Sequence, residues 1–138
     1  MLEDIYDGIE FFDAEGLIDK NNLCIYGISY GGYAATMAPI NRPDLFKCAA
    51  SDAGLYDMEA QYKRGDIRRS RGGKVFLDRA FKGKDGTLDP SQSPINRVSE
   101  MRVPFFLLHG KKDIRTPYKD AELFLSLIHI SEPTRPGH

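Results

Sequence analysis

The chain has 138 residues, with 19 Lys+Arg against 20 Asp+Glu, a formal net charge of -1, 41% hydrophobic and 28% charged residues. Such a chain is one globular domain or part of one; a disordered, collagen-like or membrane-spanning chain is excluded, since no run approaches the roughly 18 apolar residues that a bilayer span needs. There is no global basic field for nucleic acid, and composition leaves compartment and oligomeric state open.

Leu2, Ile5, Tyr6, Ile9 and Phe12 follow the i, i+3, i+4, i+7 spacing of a helix with one buried face, predicted over 3–15 and ended by Gly16. The opening Leu2-Glu3-Asp4-Ile5-Tyr6 has no basic or apolar leader region, so no secretory signal is expected. Leu23-Cys24-Ile25-Tyr26, behind the turn-like Asp19-Lys20-Asn21-Asn22, reads as a strand buried on both faces. Small residues over Tyr33 to Ala38 suit a helix packed closely on a sheet, with Pro39 and Pro43 bracketing its end. Phe46 to Ser51 and Val103 to Leu108 read as two further strands. Cys24 and Cys48 both lie in apolar runs, which predicts reduced core thiols rather than a disulfide. Between about Asp57 and Pro94 runs an excursion holding Lys63, Arg64, Arg68, Arg69, Arg71 and Lys74, read as a solvated surface loop or, less simply, as part of a substrate cleft. The alternation of strand and helix is the grammar of an α/β fold, here a parallel-sheet fragment of about three strands flanked by helices.

Gly27-Ile28-Ser29-Tyr30-Gly31 matches G-x-S-x-G directly after a predicted strand and directly before a predicted helix. A serine on such a sharp turn projects its hydroxyl clear of the sheet, and the flanking glycines remove Cβ atoms that would collide as the chain doubles back. The plainer reading makes Ser29 only a helix cap. A serine hydroxyl needs a base to take its proton and a carboxylate to orient that base. In an α/β-hydrolase these follow in the order Ser, Asp or Glu, His, and Asp113, in the loop beyond the third strand, is the better acid; Asp52, after the second strand, competes weakly.

Gly27-Ile28-Ser29-Tyr30-Gly31-Gly32-Tyr33, Ser93-Pro94-Ile95-Asn96 and His109-Gly110-Lys111-Lys112-Asp113-Ile114-Arg115-Thr116-Pro117 together resemble the catalytic domain of the prolyl oligopeptidase family of serine peptidases, as does Gly16-Leu17-Ile18-Asp19. The likeness covers residues 1–124. It implies an α/β-hydrolase fold, here partial, with Ser29 as nucleophile, Asp113 as triad acid and the backbone N–H of Tyr30 as one oxyanion-hole donor. The implied activity is hydrolysis of peptide substrates through an acyl-enzyme, with no cofactor. A carboxylesterase or lipase on the same fold, and a non-catalytic pseudo-hydrolase, are the alternatives.

No histidine here fits the base. His109 precedes Asp113, in a His-Gly pair that the resemblance makes a structural turn. His129 lies 16 residues beyond Asp113, whereas one more helix and strand with loops need more than about 20. His138 follows Ser131-Glu132-Pro133-Thr134-Arg135-Pro136-Gly137, which is no buried strand. Leu125 to Arg135 resembles the translation of a transposase-type sequencing adapter, so residues 125–138 are expected to be an adapter-derived tail, and the chain by itself to be inactive and aggregation-prone. No phosphate loop, calcium loop or zinc spacing is present, and neither a metal nor a membrane or nucleic-acid partner is expected.

Overall fold

A computed structural model describes residues 1–131, with side chains through Ile128. Helix α1 (Leu2–Ala14) buries Tyr6, and its chain leaves at Gly16, whose φ of +70° is the left-handed turn that glycine adopts without a Cβ penalty. Three strands follow, β1 (Cys24–Ile28), β2 (Cys48–Asp52) and β3 (Phe105–Leu108), paired in parallel in the order β1-β2-β3. Helix α2 (Tyr30–Asn41) joins β1 to β2. The registers set Ile25 beside Ala49 and Phe105, and Gly27 beside Ser51 and Leu107, on one face. Helices α1, α2 and α5 (Tyr118–Ser131) pack there, through clusters that join Tyr6, Ala38 and Phe46 to Ile25, and Phe124 to Phe105 and Leu107. These three strands and flanking helices are the α/β arrangement expected from the sequence.

The opposite face differs from expectation. Tyr26 is 60% exposed, Ile28 56% and Phe106 64%, because the helices packed on the sheet among the described residues share one side; β1 is therefore not buried on both faces. Cys24 and Cys48 are register partners on this open side, with Cα atoms 4.7 Å apart, and they are joined as a disulfide. The expectation of reduced core thiols fails because alternation along a strand turns every second residue of an apolar run outward.

Pro39 lies inside α2 rather than at its end. The helix runs on to Asn41, with the Arg42 N–H still reaching the Ala38 carbonyl at 2.9 Å. The excursion is no solvated loop. It folds as α3 (Met58–Arg64), a 3-10 turn (Asp66–Arg69) and α4 (Arg71–Phe81), and its Met58, Leu77 and Phe81 share a core cluster with Tyr33, Met37 and Ile40 of α2. Two 3-10 turns (Pro90–Gln92 and Pro94–Glu100) lead on to β3. Ser93 pins the entry to α3 by accepting the Met58 N–H at 2.9 Å, while the Ile95 N–H donates to Tyr56 at 2.9 Å. Helix α5 crosses the boundary that the sequence drew at Phe124, and both Phe124 and Ile128 are buried.

Candidate active site

Parallel strands bring their carboxyl ends to one edge of the sheet, where Asp52 ends β2 and the chain leaving β1 and β3 carries Ser29 and Asp113. Ser29 sits between the last residue of β1 and the first of α2 with φ 59° and ψ -118°. A positive φ at a residue with a Cβ is strained, by about 1–3 kcal/mol, and persists only where the surroundings impose it. Two hydrogen bonds do so: the Ser29 N–H donates to the Asp52 carbonyl at 2.9 Å, and the Ser29 carbonyl accepts the Tyr33 N–H at 3.1 Å. The hydroxyl makes no capping bond to α2 and none to any other described residue, so the cap reading fails and Oγ is uncommitted.

The glycines divide unequally. A Cβ on Gly27 would run into the backbone of Gly31, so the first glycine is demanded by the turn. A Cβ on Gly31 would meet nothing within 4 Å; this glycine supplies the close backbone, not the missing side chain. Gly32 is the second sterically required position, since its Cβ would lie 2.7 Å from Ser51 Oγ and 2.8 Å from Gly54 Cα. The sequence carries Gly32 within the family-like motif but gives it no steric role, although the doublet Gly31-Gly32 was the available signal.

Tyr30 is the first residue of α2, and the first i-4 bond at this end is made by Tyr33, which leaves the Tyr30 N–H without an intrahelical acceptor at the positive end of the helix. The Tyr30 ring packs 5.5 Å from Tyr33, 5.8 Å from Phe76 and 5.9 Å from Phe81, centroid to centroid. Burial pushes its phenol pKa up. Helix α4 thereby walls one side of the serine turn.

Asp113 is held from within its own loop. Its Oδ1 accepts the N–H of Arg115 at 2.9 Å and of Thr116 at 3.0 Å, and its Oδ2 accepts the Thr116 hydroxyl at 2.9 Å. Burial alone would raise the pKa of this carboxyl. The Thr116 and Arg115 bonds, with His109 nearby, outweigh that and hold it below the ordinary carboxylate value. Thr116 was missed in the sequence; the signal was a threonine three residues after an aspartate, a spacing that favours local side-chain turns.

His109 is spent inside the same loop. Its side chain is 1% exposed, Nε2 donates to the Thr116 carbonyl and stands 4.0 Å from Asp113 Oδ2, and Nδ1 is buried without a partner among the described residues. The side chain of His129, and His138, lie outside the described residues. Asp52 ends β2 on the open face, and its contribution to the serine turn is the main-chain carbonyl.

The loop of Asp113 is tied to the excursion. Gln61 Nε2 donates to the Arg115 carbonyl at 2.7 Å, the Asp66 N–H donates to the Ile114 carbonyl at 3.2 Å, and Arg115 Nε pairs with Asp66 Oδ1 at 3.3 Å. Among the described residues no group of His, Cys, Asp and Glu is placed to hold a metal.

The chain is similar to known proteins over most of its length. The sequence model of the prolyl oligopeptidase family matches residues 1–132. An acylamino-acid-releasing enzyme of Arabidopsis thaliana is 27% identical over 107 residues, covering 74% of this chain and 14% of that protein. The solved acylaminoacyl peptidase of Pyrococcus horikoshii superposes with a TM-score of 0.77 at 28% identity, covering 94% of this chain and 21% of that one. A puromycin-hydrolyzing peptidase of Mycobacterium tuberculosis gives a TM-score of 0.76 at 25% identity, over 94% of this chain and 19% of its own. The chain thus spans between about a seventh and a fifth of the proteins it resembles.

Proposed function

Because the chain belongs to the prolyl oligopeptidase family, we propose that it is part of a serine-type peptidase that hydrolyses peptide bonds through an acyl-enzyme. One observation carries this reading: Ser29 is forced to a φ of 59° at the strand-to-helix turn with its hydroxyl uncommitted, on the sheet edge that also presents Asp113. Ser29 Oγ attacks the peptide carbonyl as a histidine takes its proton; Asp113 holds that histidine in the right tautomer and stabilises it once charged. The Tyr30 N–H meets the negative charge that develops on the carbonyl oxygen, an interaction worth about 10²- to 10³-fold in rate for a single donor. Collapse of the tetrahedral intermediate returns the proton to the departing amine, and water then cleaves the ester on Ser29.

The base is assigned to a histidine later in the protein than Asp113, since His109 is buried and bonded within its own loop. The names of the relatives, acylamino-acid-releasing enzyme and acylaminoacyl peptidase, favour release of an acylated amino acid from a peptide as the reaction. The test is labelling of the full-length protein with a fluorophosphonate: one adduct is expected on Ser29 and none on a Ser29→Ala variant. An unlabelled, natively folded protein would overturn the reading.

A further inference from the structure

Residues 63–79 carry seven cationic side chains against two acids, in a chain whose formal net charge is -1. Both acids are already engaged, Asp66 with Arg115 at 3.3 Å and Asp78 with Lys82 at 3.1 Å and the Tyr62 hydroxyl at 2.9 Å. Lys63 pairs with Glu59 at 2.6 Å, and Arg64 pairs with Asp120. That leaves Arg68, Arg69, Arg71, Lys74 and Arg79 exposed and without an ion pair to any described residue. Five cations without an ion pair among the described residues, on one short stretch, repel one another, so they tax the fold rather than hold it together.

Their position gives them a use. The 3-10 turn bearing Arg68 and Arg69 is tied at Asp66 to the Ile114 carbonyl, next to Asp113. Helix α4, bearing Arg71, Lys74 and Arg79, is tied through Phe76 to the ring of Tyr30, next to Ser29. The basic stretch therefore spans from the loop of the acid to the turn of the serine. Alongside it Val75 and Phe76, each 43% exposed, line a depression of about 380 Å³ with Gly72, Arg79 and Ala80.

We propose that the turn at Arg68 and the exposed face of α4 form a docking surface for acidic peptide segments of the substrate, the arginines meeting carboxylates and the Phe76 depression taking an apolar side chain. This rests on the peptidase reading and gives it a substrate class. An electropositive rim of this kind raises the local concentration of anionic ligands and their association rate about tenfold or more, and the gain fades with salt.

Binding tests it without turnover. Fluorescence anisotropy on the full-length Ser29→Ala protein compares a labelled peptide of alternating Glu and Phe with its Gln counterpart. We expect the Glu peptide to bind at least about tenfold tighter at low ionic strength, the preference shrinking in about 0.5 M salt. It should disappear in an Arg68→Glu/Arg69→Glu/Arg71→Glu variant and survive in the matching triple Lys variant, since charge alone is required. Equal affinities for the two peptides, or a preference untouched by the triple Glu variant, would overturn the docking surface. Absent fluorophosphonate labelling would overturn the peptidase reading while leaving this measurement readable.

Discussion

The Ser29 N–H donates to the Asp52 carbonyl at 2.9 Å, so the turn that strains the serine is fastened to the end of the neighbouring strand. Strain and fastening make separable predictions. Ser29→Ala removes the hydroxyl but keeps the Cβ at a φ of 59°, whereas Ser29→Gly removes both. In urea melts of the full-length protein the glycine variant should be more stable than the alanine variant by about 1 kcal/mol, although glycine elsewhere is the destabilising choice. Both should be inactive.

The two motif glycines should respond differently. Gly27→Ala drives a Cβ into the backbone of Gly31, which cannot swing away like a side chain, and should cost about 3 kcal/mol or more. Gly31→Ala places its Cβ in open space within the first turn of α2 and should be neutral or stabilising by up to about 1 kcal/mol. Equal losses at the two sites would contradict the geometry of the turn.

The three strand segments and the serine turn were legible because both rest on local signals: apolar runs bounded by glycine, and a five-residue motif in its expected context. What escaped depends on contacts between distant segments. That Cys24 faces Cys48 needs the register of β1 on β2, and that Gly32 must lack a Cβ needs the approach of α2 to Ser51 and Gly54. The excursion was misread because its basic residues outweigh the spaced Met58, Leu77 and Phe81 that anchor it to α2. Pro39 misled because its lost i-4 bond and ring clash are offset by packing: its side chain is fully buried and α2 runs on to Asn41.

The resemblance to the family implies a base after Asp113, about 30 to 40 residues on, in the triad order Ser, Asp, His. Extending the genomic sequence beyond the codon for Phe124 should reveal a histidine in that window, and its replacement by alanine should abolish turnover while leaving the melting temperature within a few degrees. Sequencing reads in which Leu125 to Arg135 continues as ordinary coding sequence would refute an adapter origin for that stretch.

Tyr56 is 1% exposed, stacks on Phe124 at 4.7 Å and shares a 2.7 Å hydrogen bond with the Ser51 hydroxyl. Burial pushes its phenol up to about 12 from an ordinary 10.0, against the smaller opposing effect of the Ser51 bond. The folded state therefore keeps this proton where the unfolded state has released it. The stabilisation is complete below pH 10 and drains away as pH rises towards 12, by roughly 2 to 3 kcal/mol over the window. Urea melts should show Tyr56→Phe losing less stability than the parent between those pH values, at a cost of about 1 kcal/mol at neutral pH.

Asp113 invites a bland interpretation, that its carboxylate merely closes the turn with Arg115 and Thr116. Asparagine separates this from a catalytic role, because its carbonyl keeps accepting both N–H groups while the negative charge is gone. Asp113→Asn should stay folded yet lose turnover on the order of 10⁴-fold, as expected when a triad histidine is no longer held in its productive tautomer. Thr116→Val cuts the 2.9 Å bond to Oδ2 but leaves the ion. It should cost about 2 kcal/mol at pH 7, where the bond is to a charged acceptor. The folded-state pKa of Asp113 lies below its ordinary 3.8, so the stabilisation is present above that value and is lost as pH falls through the folded one. The Thr116→Val penalty should accordingly shrink in melts taken progressively below pH 3.8, as the carboxyl gains its proton. An Asp113→Asn enzyme with unimpaired turnover would leave the turn-closing role as the whole explanation of this residue.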